Sequence, residues 1–559
     1  MKKIISKIAF ALLLAASTAS CNGFLTIEPQ DKLVQDNFFT SAEMVRSNTL
    51  TLYAARTWRD FHMNFQWKMD MLNGDMFYTY SDEGQWFFGS YTSINPYINE
   101  GWKGLYNVIA FANSIINDMP DKCINVSEAD INKAVAEARC VRGYCYYIIA
   151  EVWHDAPIVF NNTKNIAEND IDLPRNTQKS IYQFALNDLD FAEQYLPETD
   201  GDAFRCTKLT ARAFRAKLLL TMASHTDYGY DRPSLYARAA ADALAVTEAR
   251  PWLTDIDYST LFDVETNNGP ESIFAIQCAV QGYGFGNAHN CAWSRSSVIA
   301  DQTWGAGKGP TIALQKLYDK TDRRRMWTYM TNGDHYPNLS KVTGGYTYLY
   351  ISRDAENSVV EDRNEMNAHI KKYVIGKSAD CDGNVGLSQD AANNIYLMRL
   401  SDMYLTYAEA VMGANTTTAD ANALKYYNAV RERAGVVVAT EISYEDILKE
   451  RLREFAFESQ SWFDTQRLRY RQGDDVALDW VNTGYHTGYN RCCQYLMKTG
   501  TTIADENKES SYIIAKNKSE YAMYDPIMLT SASFICPIPA AVSTSSPALA
   551  GEPVDFPFE

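Results

Sequence analysis

Glu450, Glu454 and Glu458 stand four residues apart in "KERLREFAFESQ", with Arg451, Arg453, Arg467 and Arg469 close by. Two carboxylates can hydrolyse a glycosidic bond only when they face each other across the substrate. Glutamates at i, i+4 and i+8 share one helix face and point the same way, so this spacing predicts ion pairs that tie the helix to its neighbours. Glu409 in "TYAEA" is read in the same way, as a partner for Arg431 or Arg433 on the following helix. Hydrolase, zinc and phosphate motifs (GxSxG, HExxH, the Walker loop) do not occur, and the seven histidines are scattered singly. "GYGFG" at 282–286 lacks the flanking strand and helix of a phosphate cradle. "DCDGN" from Asp380 brings Gly383 too early for a calcium loop and has no closing Glu. The residues therefore call for no catalytic group, no metal and no cofactor.

Binding chemistry is better represented. Residues 77–97, "FYTYSDEGQWFFGSYTSINPY", carry eight aromatic side chains in twenty-one positions, in a chain that averages 13%. A sugar presents a face of C–H groups and a rim of hydroxyls, which suits a flat ring flanked by amides, carboxylates or guanidinium groups; Trp offers the largest such face with little rotamer freedom to lose. Trp86 lies between Gly84 and Gly89, with Asp82, Gln85 and Asn95 as polar neighbours and Tyr91 nearby. A second Gly-rich region holds Tyr283, Trp293 and Trp304, with Arg295 beside Trp293. Trp86, Tyr91, Tyr283, Trp293 and Trp304 are the expected glycan platforms, and Asp82, Asn95 and Arg295 the expected polar contacts. Their Gly, Ser, Asn and Pro neighbours predict exposed irregular loops. Trp102, Trp153 and Trp462 fall on helical stripes and are expected to pack.

Such loops need a frame. Ala134, Ala138, Val141, Cys145, Ile148 and Val152 step by three and four along one helix face. Ala185, Leu189, Ala192 and Leu196 do so too, as do Leu209, Ala213, Ala216, Leu220 and Ala223. Leu400, Tyr404, Tyr407 and Val411 form a later stripe, followed after a polar turn by Ala423, Tyr427, Val430 and Ala434. Alternation of small and bulky residues predicts tetratricopeptide-like helix pairs. The expected fold is mainly α, a scaffold of such pairs with long irregular loop-rich excursions and a few short strands, Tyr346, Tyr348 and Tyr350 lining one strand face. Residues 21–559 read as a single body, with its scaffold mainly at 102–250 and 393–470 and loop-rich ligand-facing regions at about 73–101 and 251–390.

A net charge of −17 argues against nucleic acid, whose phosphates require a basic surface. "MKKIISKIAFALLLAASTASC" reads as a signal peptide over residues 1–20 ending on a lipidation cysteine, Cys21. Thr18 stands where Leu is commonest in a lipobox, which leaves ordinary cleavage as the alternative. Apart from this anchor, no segment is long and apolar enough to span a bilayer. The ten remaining cysteines are read as small buried hydrophobes in preference to disulfides.

Several stretches, in order, resemble the SusD/RagB-like outer-membrane nutrient-binding lipoproteins: "CNGFLTIEPQDKL", "NFFTSAEM", "WKGLYNVIAFANSII", "AEARCVRGYCYYIIAEVWHDAPIV", "YLTYAEAVMG", "YYNAVRERAG", "ERLREFAFESQSWFDTQRL" and "ICPIPAAV". The resemblance implies four tetratricopeptide-like units tethered to the outer membrane at the cell surface. It also implies a SusC-like TonB-dependent transporter as partner and an oligosaccharide, or in some members a peptide, as cargo. Ser459 and Ser461 depart from the Gly and Arg common in the family, which predicts local repacking. A helical glycoside hydrolase using the same aromatic cleft is the remaining alternative.

Overall fold

The computed structural model describes residues 39–78, 80–281, 284–293, 308–331, 333–339, 344–348, 352–353, 359–360, 368–376, 391–491, 494–497, 512–515 and 528–558. Residues 1–20, Cys21, Tyr283, Arg295, Trp304, Tyr350, the Asp380 stretch, Cys492 and Cys493 lie outside them.

Near the start, α1 (Ala55–Asn64) is followed by α2 (Lys68–Asn73), strand β1 (Met76–Phe77), α3 (Ser81–Phe87) and α4 (Pro96–Asn113). A Cβ at Gly104 would sit 2.4 Å from the Phe61 backbone nitrogen, so glycine is what lets α4 lie directly on α1. Next come α5 (Glu128–Trp153), α6 (Gln178–Tyr195), α7 (Lys208–Ser224) and α8 (Arg232–Ala249), each packed against its predecessor. Side-chain oxygens of Ser127 and Thr177 cap α5 and α6, satisfying backbone N–H groups that have no partner within the helix. The predicted stripes are the packed faces: all six apolar residues named on α5 are buried, as are Trp102, Trp153 and Trp462.

Strand β2 (Ser272–Ile276), the short α9 (His289–Trp293) and β3 (Gly309–Pro310) precede β4 (Ile395–Arg399), which pairs antiparallel with β2. Then α10 (Leu400–Met412) packs on α8 and on α11 (Ala421–Ala434), and α12 (Tyr444–Phe455) and α13 (Ser461–Gln472) complete the scaffold. The fold is thus mainly helical with a few short strands, as the sequence predicts. Tyr346 lies in a two-residue strand paired with His335–Tyr336, and Tyr348 just beyond it is buried.

Ion pairs join the late helices. Glu450 meets Arg324, Arg431 and Arg453; Glu454 meets Arg324, Arg399 and Arg433; Glu458 meets Arg399 and Lys372. Burial pushes the Glu454 carboxyl up, but Arg433, Arg399 and Arg324 together hold it well below the usual carboxylate range. One expectation is corrected: Glu409 pairs with Arg467 on α13 at 2.8 Å, while Arg431 and Arg433 turn to the glutamates of α12 and to Glu271. Helix α10 is flanked by α11 and α12, and the α13 guanidinium reaches its buried face first. The seven described cysteines (123, 140, 145, 206, 278, 291 and 536) are free thiols. No helix among the described residues is long and apolar enough to cross a membrane.

Candidate functional site

The stretch 77–97 is not an open loop. Residues 81–87 form α3, and Asn95–Pro96 starts α4: the Asn95 side chain accepts from the Tyr97 backbone N–H at 3.1 Å, and Pro96 opens the first turn. Asn95 is buried, taking a bond from Trp86 Nε1 at 3.2 Å and donating to the Asp82 carbonyl and Gln85 Oε1 at 3.0 Å each. Its expected role as an exposed glycan contact is corrected to that of a helix cap, because every polar atom of its amide is occupied. Trp86 is corrected likewise: it is fully buried, stacked on Tyr91 at 4.3 Å and 15° and edge-on to Phe65 at 5.4 Å. Tyr91 is half-buried, one face under Trp86 and its hydroxyl donating to the Ser533 carbonyl at 3.1 Å. Asp82 is exposed in the first turn of α3, where it accepts from Gln85 at 3.0 Å.

Trp293, the second expected platform, is also fully buried. It stacks on His289 at 4.3 Å and 9°, with Trp67 5.7 Å away and Tyr373 and Phe457 around it. Both tryptophans fill the interior because the helices beside them, α1 to α4 for Trp86 and α2 and α9 for Trp293, supply apolar partners from distant parts of the chain.

What the fold does bring together is the two ring-rich regions. β1 pairs antiparallel with β3, Met76 opposite Pro310 and Phe77 opposite Gly309. A Cβ on Gly309 would lie 2.1 Å from the Ala368 carbonyl oxygen, so this crossing needs glycine. Above the Trp293–His289–Trp67 stack lie two buried ammonium groups. Lys68 Nζ is 4.3 Å from the Trp67 ring centre and 4.2 Å from that of Tyr97; Lys308 Nζ is 4.4 Å from Trp67 and 4.2 Å from Tyr78. Each tyrosine ring therefore rests on a cation, an arrangement that strengthens when water is excluded.

Glu83 bridges the two lysines, pairing with Lys68 and with Lys308 at 3.0 Å. Burial pushes the Glu83 carboxyl up, but the two ammonium groups more than offset this and hold it at about 2. Burial lowers Lys68 to about 7 and also lowers Lys308. Burial of its ring pushes the Tyr78 phenol up to about 12, so it stays protonated and able to donate.

The outer surface of this assembly is open. Tyr78 and Tyr97 are half-buried, and Tyr80, its ring centre 6.5 Å from that of Tyr78, is 74% exposed. Two phenol rings seated on a rigid polar base, a third beside them, and exposed Asp82 two residues past Tyr80 make a surface suited to stacking and hydroxyl bonding. Tyr78, Tyr80 and Tyr97 were not singled out by sequence reasoning, and nothing local marks them apart from the Tyr78/Tyr80 alternation. Lys68 and Lys308 are 240 residues apart, and the β1–β3 pairing, with Glu83 between them, joins them.

With this geometry in place, the chain can be set beside known proteins. Residues 270–553 match the SusD family model, and residues 23–220 match a model described as "Starch-binding associating with outer membrane". A SusD-like protein of Bacteroides ovatus is 30% identical over 85% of this chain and 84% of its own length. SusD-like protein P2 of Formosa agariphila is 27% identical over 67% of this chain and 72% of its own. Among solved structures, one described as a crystal structure with xylogluco-oligosaccharide superposes with a TM-score of 0.77 at 26% identity, covering 92% of this chain and 99% of the other. Surface glycan-binding protein A from Bacteroides thetaiotaomicron, in complex with laminarihexaose, has a TM-score of 0.65 at 18% identity, covering 91% and 99%, and shows the shared fold. The chain belongs to the SusD family.

Proposed function

We propose that this chain is a glycan-binding lipoprotein of the outer-membrane surface, anchored through Cys21, which captures oligosaccharides and delivers them to a SusC-like TonB-dependent transporter without cutting them. The observation that carries the reading is the cation-seated pair Tyr78 and Tyr97, with exposed Tyr80 beside Tyr78, at the junction of the two ring-rich segments. Rings fixed in this way can receive a sugar face with little further ordering. Family membership supports it, as does the xylogluco-oligosaccharide in the structure of a 26% identical protein. Weak stacking at each ring fits a carrier that must release its cargo. Asp82, and the rings of Tyr283 and Trp304 with Arg295, remain proposed contributors.

Affinity electrophoresis of the chain from residue 21 onward, through gels containing xyloglucan, laminarin, starch and other polysaccharides, tests this. At least one glycan should retard the wild type, and Y78A/Y80A/Y97A should be retarded clearly less by it. Unchanged retention of the triple variant rejects the site. Release of new reducing ends from the retarding glycan rejects the non-catalytic reading.

A further inference from the structure

A second ring stands open elsewhere on the molecule. Trp252 is 39% exposed, and no other aromatic ring of the described residues pairs with it. Its backbone is held firmly. Just before it, Arg250 donates to the Ser272 carbonyl at 2.5 Å and accepts at its own carbonyl from the Tyr404 hydroxyl at 3.1 Å. Just after it, Leu253 is fully buried, and the Asp255 N–H closes a turn on the Trp252 carbonyl at 3.0 Å. The open part of this apolar ring is held at the surface on an anchored turn, where it gains nothing for the fold, since burying it would be favourable.

The ring borders a cleft of about 660 Å³ walled by the α6–α7 connection, the end of α8 and the turn before β2. Glu198, Thr199 and Asp202 bring exposed or half-exposed oxygens to the lining; one Glu198 oxygen pairs with Lys208 at 3.3 Å, and one Asp202 oxygen takes Arg46 at 2.7 Å and Arg205 at 3.1 Å. Its two arginines are committed: Arg205 to Glu137 and Asp202, Arg250 to backbone carbonyls. The polar capacity left over is mostly that of acceptors, the second oxygen of the Glu198 and Asp202 carboxylates among them. That matches the hydroxyls of a neutral sugar and leaves no uncommitted cation in the lining for a carboxylated or sulfated one.

We infer that this cleft is a second carbohydrate-binding site, taking a neutral pyranose on the Trp252 face with its hydroxyls directed to Glu198, Thr199 and Asp202. It shares no residue with the Tyr78–Tyr80–Tyr97 surface, and its ligand class rests on the glycan-binding reading above. A polysaccharide long enough to touch both sites would be held by both, which multiplies retention without any new contact.

The full mature chain labelled with 5-fluorotryptophan provides the test, the Trp252 resonance being assigned as the one missing from W252F. Cellohexaose, maltohexaose and laminarihexaose at millimolar concentration are the neutral probes, and an oligogalacturonate is the acidic one. At least one neutral hexasaccharide should shift the Trp252 signal saturably, equally in wild type and in Y78A/Y80A/Y97A, and the oligogalacturonate should not. A Trp252 signal unmoved by all three neutral probes overturns the inference, as does one whose shift disappears in the triple variant. If that signal is silent while the wild type is retarded by a glycan and the triple variant is not, the inference alone fails. If the signal moves while the triple variant is retarded as strongly as wild type, the inference stands and the tyrosine site falls.

Discussion

Glu83→Gln isolates the electrostatic base of the tyrosine site. The carboxylate is almost wholly buried between Lys68 and Lys308, and its pKa is held at about 2 against an ordinary 4.5. At 1.36 kcal/mol per pH unit, that difference corresponds to about 3 kcal/mol of native-state stabilisation of the ionised form. The figure lies at the lower edge of the ~3–5 kcal/mol lost when one partner of a buried ion pair is removed. Unfolding entropy is about 2.1 cal/mol/K per residue, so 559 residues unfolding as one unit would lose roughly 2–3 °C in Tm.

The sign in pH comes from the lowered pKa. Stabilisation by Glu83 is complete above about pH 4.5 and is lost as pH falls through about 2, so wild type and E83Q should converge in acid. Differential scanning fluorimetry across pH measures the gap directly. K308M should cost less than E83Q, because it leaves a neutral Lys68–Glu83 pair, and E83Q/K308M should cost less than the two single changes added. Glycan retention should fall with E83Q, since Tyr78 and Tyr97 lose a compensated seat. A Tm within about 0.5 °C of wild type at neutral pH, or strict additivity in the double variant, would refute an ion-paired base.

Trp86→Ala should lower Tm by about 3–4 °C, from the ~3–5 kcal/mol cost of emptying a buried tryptophan site, whereas Tyr80→Ala should leave Tm unchanged and reduce glycan retention. The opposite pattern would return Trp86 to the ligand surface. Asp75 is buried, and burial raises its carboxyl to about 6 although Ser461, Tyr485 and Asn73 donate to it. Stability from this group is therefore present in full below about pH 3.8 and is lost as pH rises through 6; the Tm of D75N should gain on wild type over that window. A carboxyl resonance of Asp75 titrating at an ordinary value would contradict this. Cys21→Ala should move the protein from the membrane fraction to the soluble one and abolish labelling by radioactive palmitate, and unchanged labelling would rule out the anchor.

Asn95–Pro96 shows why part of the site was hidden in the sequence. Read as punctuation, Pro in a Gly- and Ser-bearing stretch signals a loop, yet Pro at the first helical position behind an Asn cap signals a helix start. The two readings differ only in the residues beyond Pro96, where the helical spacing of α4 begins. Ring composition was informative about the region and not about the individual rings. Of that stretch, Trp86 became core and Tyr78, Tyr80 and Tyr97 stayed at the surface, because exposure depends on which helices arrive from elsewhere. For Glu450 and Glu454 the reading succeeded, since two glutamates one turn apart on a helix cannot oppose one another; Glu458 lies beyond the end of α12, where the chain turns, and still pairs with Arg399 and Lys372. For Glu409 it failed on the partner's identity, which depends on how α13 crosses α10.

By itself, the sequence determined what is local and periodic: the helical stripes, the ion-pairing face of α12 and the ordered stretches that resemble the SusD/RagB-like lipoproteins. A helix repeats every 3.6 residues, so its buried face is written within a single segment. Tertiary structure alone decided which rings face water and which sit on cations. Lys68 and Lys308 meet across Trp67 where β1 pairs with β3, and contact between residues so distant in the chain leaves no spacing to be read along it.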